Sequence, residues 1–187
     1  QAGASFVKLD KKTGATVWRT LEDGGGMFGS AFSSPAFATI RGVRQILVQT
    51  RTKLAGVGIA DGSVIWSREI PAVRGMNILP PTPGGDRVFT SSYGGGSLAL
   101  DVAEGAPGAE PALAWKDSAQ GYMSSPIVFD GHVYLHLRNQ RIACLRLADG
   151  KRMWTSTERF GKYMSMVAQA DRIIALDERG ILLLMRA

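Results

Sequence analysis

The chain has 187 residues, 45% apolar and 20% charged, with a formal net charge of +6. One cysteine excludes an internal disulfide framework and a cysteine-rich zinc site, and two histidines leave little for a histidine-based metal centre or triad. No apolar run approaches the roughly 18 residues of a membrane span, and the first residues lack the basic start and apolar stretch of a signal peptide.

Twenty-three glycines, short β-branched runs and almost no helical periodicity predict an all-β domain. In chain order, residues 5–9 and 15–19 predict two strands joined by Asp10-Lys11-Lys12-Thr13-Gly14, ending near Trp18. Three longer periods follow, ending near Trp66, Trp115 and Trp154. Glycine precedes three of the tryptophans by four residues: Gly14, Gly62 and Gly150. Trp115 lacks that Asp-Gly lead and follows an insertion, 104–111. Phe32-Ser33-Ser34-Pro35 recurs as Met123-Ser124-Ser125-Pro126, with Leu79-Pro80-Pro81 as a looser copy.

Each period reads as four short strands, as in 126–129, 132–137, 142–147 and 151–155. Asp130-Gly131 and Asp149-Gly150 are hairpin signals, because a type I′ turn needs two residues that tolerate positive φ. The tail, 163–187, supplies three strands at 165–168, 172–176 and 181–185. Four strands per period of about 40 to 50 residues predict a β-propeller, here a single partial propeller of about four four-stranded antiparallel blades over residues 1–187. A blade cannot bury both faces alone. A tryptophan on its last strand can lie across the next blade and bury about 150–250 Å². Trp18, Trp66, Trp115 and Trp154 are therefore expected to be docking residues.

The other motifs are weaker. Gly24-x-Gly26-x-x-Gly29 has dinucleotide-fingerprint spacing, but the following Ser-Ser-Pro is no helix start, so an inter-blade loop is the better reading. His132 and His136 sit four apart on a predicted strand, roughly 13 Å apart at about 3.3 Å per residue, too far to share a metal. A half-exposed strand face is expected for them. Cys144 reads as a small core residue. Asp10, Asp61, Asp149 and Glu178 fall in turns, where an aspartate caps its own backbone. Arg41, Arg44, Arg51 and Lys53 form the densest basic group and read as a solvated face, with no focused stripe for nucleic acid.

Leu9-Asp10-Lys11-Lys12-Thr13-Gly14-Ala15-Thr16-Val17-Trp18 resembles the tryptophan-docking motif of the pyrroloquinoline quinone (PQQ) repeat family. Asp61-Gly62 with Trp66 and Asp149-Gly150 with Trp154 resemble shortened copies, and the Ser-Ser-Pro openings resemble this family too. Some members are quinoprotein dehydrogenases holding PQQ and calcium. Others are non-catalytic scaffolds, such as the propeller lipoprotein of the outer-membrane β-barrel assembly machinery. The resemblance implies a periplasmic or secreted propeller scaffold with a protein partner. The single cysteine and the lack of a carboxylate cluster speak against the dehydrogenase branch, so no cofactor is expected. PQQ and calcium belong only to the alternative in which the chain is a dehydrogenase fragment. A carbohydrate- or small-molecule-sensing propeller is the third reading, with Ser33, Ser34, Ser124, Ser125 and Ser165 as its candidate axial face.

Such propellers usually have seven or eight blades, so the chain reads as part of a larger one. Closure of a four-bladed ring by the N-terminal fourth strand, or a homodimer through unpaired blade edges, are the self-contained alternatives.

Overall fold

A computed structural model describes residues 6–22, 32–70, 73, 76–102 and 108–187. Gly24, Gly26, Gly29 and the start of the 104–111 insertion lie outside the described residues.

The first sheet has two strands, β1 (Phe6–Leu9) and β2 (Thr16–Thr20). Three four-stranded sheets follow. One holds β3 (Ala36–Ile40), β4 (Val43–Gln49), β5 (Lys53–Gly58) and β6 (Val64–Glu69). The next holds β7 (Thr82–Gly84), β8 (Arg87–Ser92), β9 (Gly96–Asp101) and β10 (Ala112–Asp117). The third holds β11 (Ile127–Phe129), β12 (His132–His136), β13 (Ile142–Arg146) and β14 (Arg152–Thr155). A three-stranded sheet, β15 (Met164–Gln169), β16 (Arg172–Asp177) and β17 (Leu182–Arg186), ends the series. Every sheet is an antiparallel meander in chain order. No described segment forms a helix long and apolar enough to cross a membrane.

Two kinds of turn build these meanders. Between first and second strands, Arg41-Gly42 (φ 48° and 76°) and Asp130-Gly131 (φ 44° and 70°) both take positive φ, the type I′ requirement. Between third and fourth strands the turn is longer, which corrects the type I′ expectation at Asp149-Gly150. Only the glycine there has positive φ, at 75° for Gly14, Gly62 and Gly150 alike. Its N–H bonds back to Asp10, Gly58 or Arg146 O at 2.8, 3.0 and 2.8 Å. The aspartate caps each turn: Asp10 Oδ1 accepts from Lys12 N, Asp61 Oδ1 from Ser63 N, and Asp149 Oδ1 from Lys151 N.

The sheets pack face to face in chain order. Trp18 of the first lies with Ile46, Val48, Ala55 and Val57 of the second. The opposite face of that sheet, with Ile40, Leu47 and Leu54, meets Val88, Leu98 and Leu100. Phe89, Ala99 and Trp115 then meet Leu135, Ala143 and Leu145. Tyr134, Ile142 and Cys144 meet Met166, Ile173 and Ala175. In the three four-stranded sheets the second and third strands are therefore covered on both sides, and their side chains are buried almost without alternation, as in β9 and β13.

That sandwiching overturns the half-exposed expectation for His136. Its side chain is 0% exposed, because β12 is a middle strand with a sheet on each side.

Distinct polar contacts cross each junction. Thr90 Oγ1 donates to Gln49 Oε1 at 2.5 Å, and Asn77 Nδ2 donates to Thr50, Arg51 and Ile70 O. Ser91 Oγ accepts from Gly121 N at 2.9 Å. Ser124 Oγ stands 3.0 Å from His136 Nδ1 and accepts from Met164 N at 2.9 Å.

The last sheet is covered on one face only. Val167, Leu182 and Leu184 on the other are 61%, 68% and 68% exposed. Among the described residues β17 pairs with β16 alone and β1–β2 form a separate sheet, so no described strand pairing closes a four-bladed ring.

Candidate functional site

The docking positions come first. Gly62 is the surface on which Trp18 lies: a Cβ there would stand 2.7 Å from the indole ring. Gly150 is placed in the same way under Trp115, at 2.6 Å, and Trp115 Nε1 donates to Leu147 O at 2.7 Å. Trp115 thus docks although its own turn is degenerate, because what it needs is the glycine of the following sheet. Trp66 is buried too, but its Nε1 donates to Gln45 Oε1 of its own sheet, and its strand bridges to residue Ala109 of the next. Trp154 is 40% exposed and touches Tyr134.

The serines divide. Ser33 Oγ donates to Leu79 O at 2.9 Å and Ser124 is buried in the His136–Met164 contact, so both hold neighbouring sheets together. Ser34, Ser125 and Ser165 are exposed. The basic group disperses: Arg41 Nε donates to Val102 O of the next sheet, while Arg44 lies over Phe37. Cys144 is buried beside Tyr134, and burial pushes its thiol above the ordinary value.

Composition and spacing did not reveal the most distinctive surface. Tyr93 follows β8, Tyr122 precedes β11 and Tyr163 precedes β15, so three successive sheets each contribute one ring. Tyr93 and Tyr122 centroids are 6.1 Å apart, and Tyr122 and Tyr163 are stacked at 6.3 Å with an 18° interplanar angle. Arg138, in the β12–β13 hairpin, lies 4.8 Å from the Tyr93 centroid. Lys162 Nζ lies 5.8 Å from Tyr122 and 5.4 Å from Tyr163. Such cation–π contacts contribute about 0.5–1 kcal/mol each at exposed sites. A cavity of ≈ 380 Å³ adjoins the row through Arg138, lined also by Ser118, Gln120, Leu137, Asn139 and Arg152.

Two carboxylates fix the lower end of this row. Glu178, in the β16–β17 turn, accepts from Lys162 N at 2.7 Å and Tyr163 N at 2.9 Å. Those N–H groups hold its carboxyl below the ordinary value. Asp177 accepts from Gly161 N at 2.7 Å and from Ile181 N and Arg179 N at 3.0 Å. Its burial alone would raise the carboxyl, but these bonds and the Arg179 guanidinium outweigh that and hold it at about 2. The signal for the row was the recurrence of Tyr122-Met123-Ser124 as Tyr163-Met164-Ser165.

Among the described residues no three His, Cys, Asp or Glu side chains converge.

Face-to-face four-stranded meanders with tryptophan–glycine docking define a partial β-propeller of the PQQ-repeat class. The chain belongs to the family described as outer membrane protein assembly factor BamB, whose sequence pattern matches residues 1–156. The crystal structure of BamB from Moraxella catarrhalis is similar at a TM-score of 0.63 and 20% identity, covering 96% of this chain and 54% of that one. This chain thus spans about half the length of that relative. Two computationally designed proteins share the fold at 9% identity: Ika4 (TM-score 0.63, 87% of this chain and 98% of that one) and Ika8 (TM-score 0.66, 96% and 51%). No curated protein matches the sequence.

Proposed function

We propose that the chain is part of a non-catalytic propeller scaffold of the bacterial cell envelope, periplasmic or secreted, that binds a protein partner. Family membership over residues 1–156 carries this reading. The tyrosine–cation row supports it, because tyrosine and arginine are enriched where proteins meet and the row belongs to no catalytic constellation.

The test is a pair of measurements on the purified chain. Mixed with host envelope extract, it is expected to elute as a complex of fixed stoichiometry by light scattering. Incubated with PQQ and Ca²⁺, it is expected to reduce no electron-accepting dye with alcohol or sugar substrates. Quinone-dependent turnover sinks the scaffold reading and restores the dehydrogenase alternative.

A further inference from the structure

We infer that the row Tyr93–Tyr122–Tyr163, with Arg138 and Lys162, is the docking site for an extended acidic polypeptide segment. This rests on the scaffold reading and gives it a place and a partner chemistry.

The spacing is the first argument. Successive rings are 6.1 and 6.3 Å apart. An extended chain repeats alternate side chains every ~6.6–6.8 Å, at 3.3–3.4 Å per residue. Alternate residues of one strand therefore fall on successive rungs.

The second argument is what the rings leave free. Tyr122 and Tyr163 stack on each other, and Arg138 and Lys162 sit over the three rings. Those faces are occupied, which disfavours the flat stacking a sugar ring uses. Tyr163 is exposed and Tyr93 and Tyr122 are half-buried, so part of each ring remains accessible to a partner.

Charge is the third. Among the described residues neither Arg138 nor Lys162 has an ion-pair partner, unlike Arg152 beside them, which pairs with Asp117 at 2.5 Å. Glu178 lies close, but its carboxylate is committed to the N–H groups of Lys162 and Tyr163. The free charges of the row are thus cations. Carboxylates at alternate positions match them.

The test uses the whole chain and fluorescently labelled dodecapeptides, read by anisotropy. A peptide alternating glutamate and serine is expected to bind saturably and to weaken with salt. The same composition with its glutamates clustered, and a lysine–serine analogue, are expected to bind at least several-fold more weakly. R138E/K162E is expected to lose about tenfold in affinity or more, because it replaces two attractions by two repulsions. Both side chains are exposed, and an unchanged thermal transition of that variant shows that the loss is not unfolding. Y122F/Y163F, which keeps the rings and removes two hydroxyls, is expected to lose a few-fold.

Equal binding of the spaced and clustered peptides overturns the proposal. So does undiminished binding by R138E/K162E, tighter binding of oligogalacturonate than of the peptide, or no peptide binding at all. If the peptide fails while the envelope complex of fixed stoichiometry still forms, the site is wrong and the scaffold stands. Quinone-dependent turnover removes the scaffold itself.

Discussion

The inner sheets and the two end sheets carry the same docking parts in different company. Inside, Trp115 lies on Gly150 and is 8% exposed. At one end Gly14 has the same φ of 75°, yet no described atom lies within 4 Å of where its Cβ would be. At the other end Trp154 is 40% exposed, beside a sheet of three described strands. The repeat motif thus encodes two halves of a contact that are joined only between sheets. Trp18 and Trp115 are buried by the turn one sheet ahead, not by their own.

The sharpest way to break this comparison is to delete the two indoles. Trp115→Ala is expected to cost about 3–5 kcal/mol, the range for emptying a large core site. Trp154→Ala is expected to cost about 1 kcal/mol or less, as at an exposed site. Chemical denaturation midpoints decide it, and equal losses would show that the two indoles are equivalent after all.

The glycines give the next contrast. Gly150→Ala meets both its positive φ and the Trp115 ring, so about 2–3 kcal/mol is expected. Gly14→Ala meets only the backbone strain, about 1 kcal/mol. Equal midpoints for the two variants would remove the ring contact from the account.

The smallest effect is in pH. The junction between β12 and β15 holds His136, with Asp177 and Glu178 nearby, whereas the Thr90–Gln49 junction holds no titratable group in its contact. Burial pushes the His136 imidazole below its ordinary 6.5, against the opposing pull of the Gly161 backbone and the two carboxylates. The folded state therefore prefers the neutral ring. Its contribution is fully present above 6.5 and is lost as pH falls below that value. Asp177 acts lower, its contribution fading as pH falls from 3.8 towards about 2. Hydrogen exchange is expected to show β12 and β15 losing protection as pH falls below 6.5 while β4 and β8 keep theirs, and His136→Gln is expected to flatten that first loss. Uniform loss across both junctions would contradict the assignment.

Much of this was legible because turns and docking are local in sequence. Asp10-to-Trp18, the Ser-Ser-Pro openings and the Asp-Gly pairs each state their role within about ten residues. What they could not state is set by stacking. His136 looked half-exposed because β12 alternates like a surface strand, and only the sheet laid over it buries the ring. The tyrosine row was missed for the same reason. Its members belong to different sheets and become neighbours only when those sheets assemble.

The polar contacts between sheets have one more consequence. Thr90 meets Gln49 at one boundary, Ser91 meets Gly121 at the next, and Ser124 meets His136 and Met164 at the third. Three boundaries thus carry three different codes, although the sheets around them look like copies. Exchanging two copies would bury a donor or acceptor without its mate, at about 1–3 kcal/mol for each. The repeats share one form, but they are not interchangeable: their order along the chain is written into the seams.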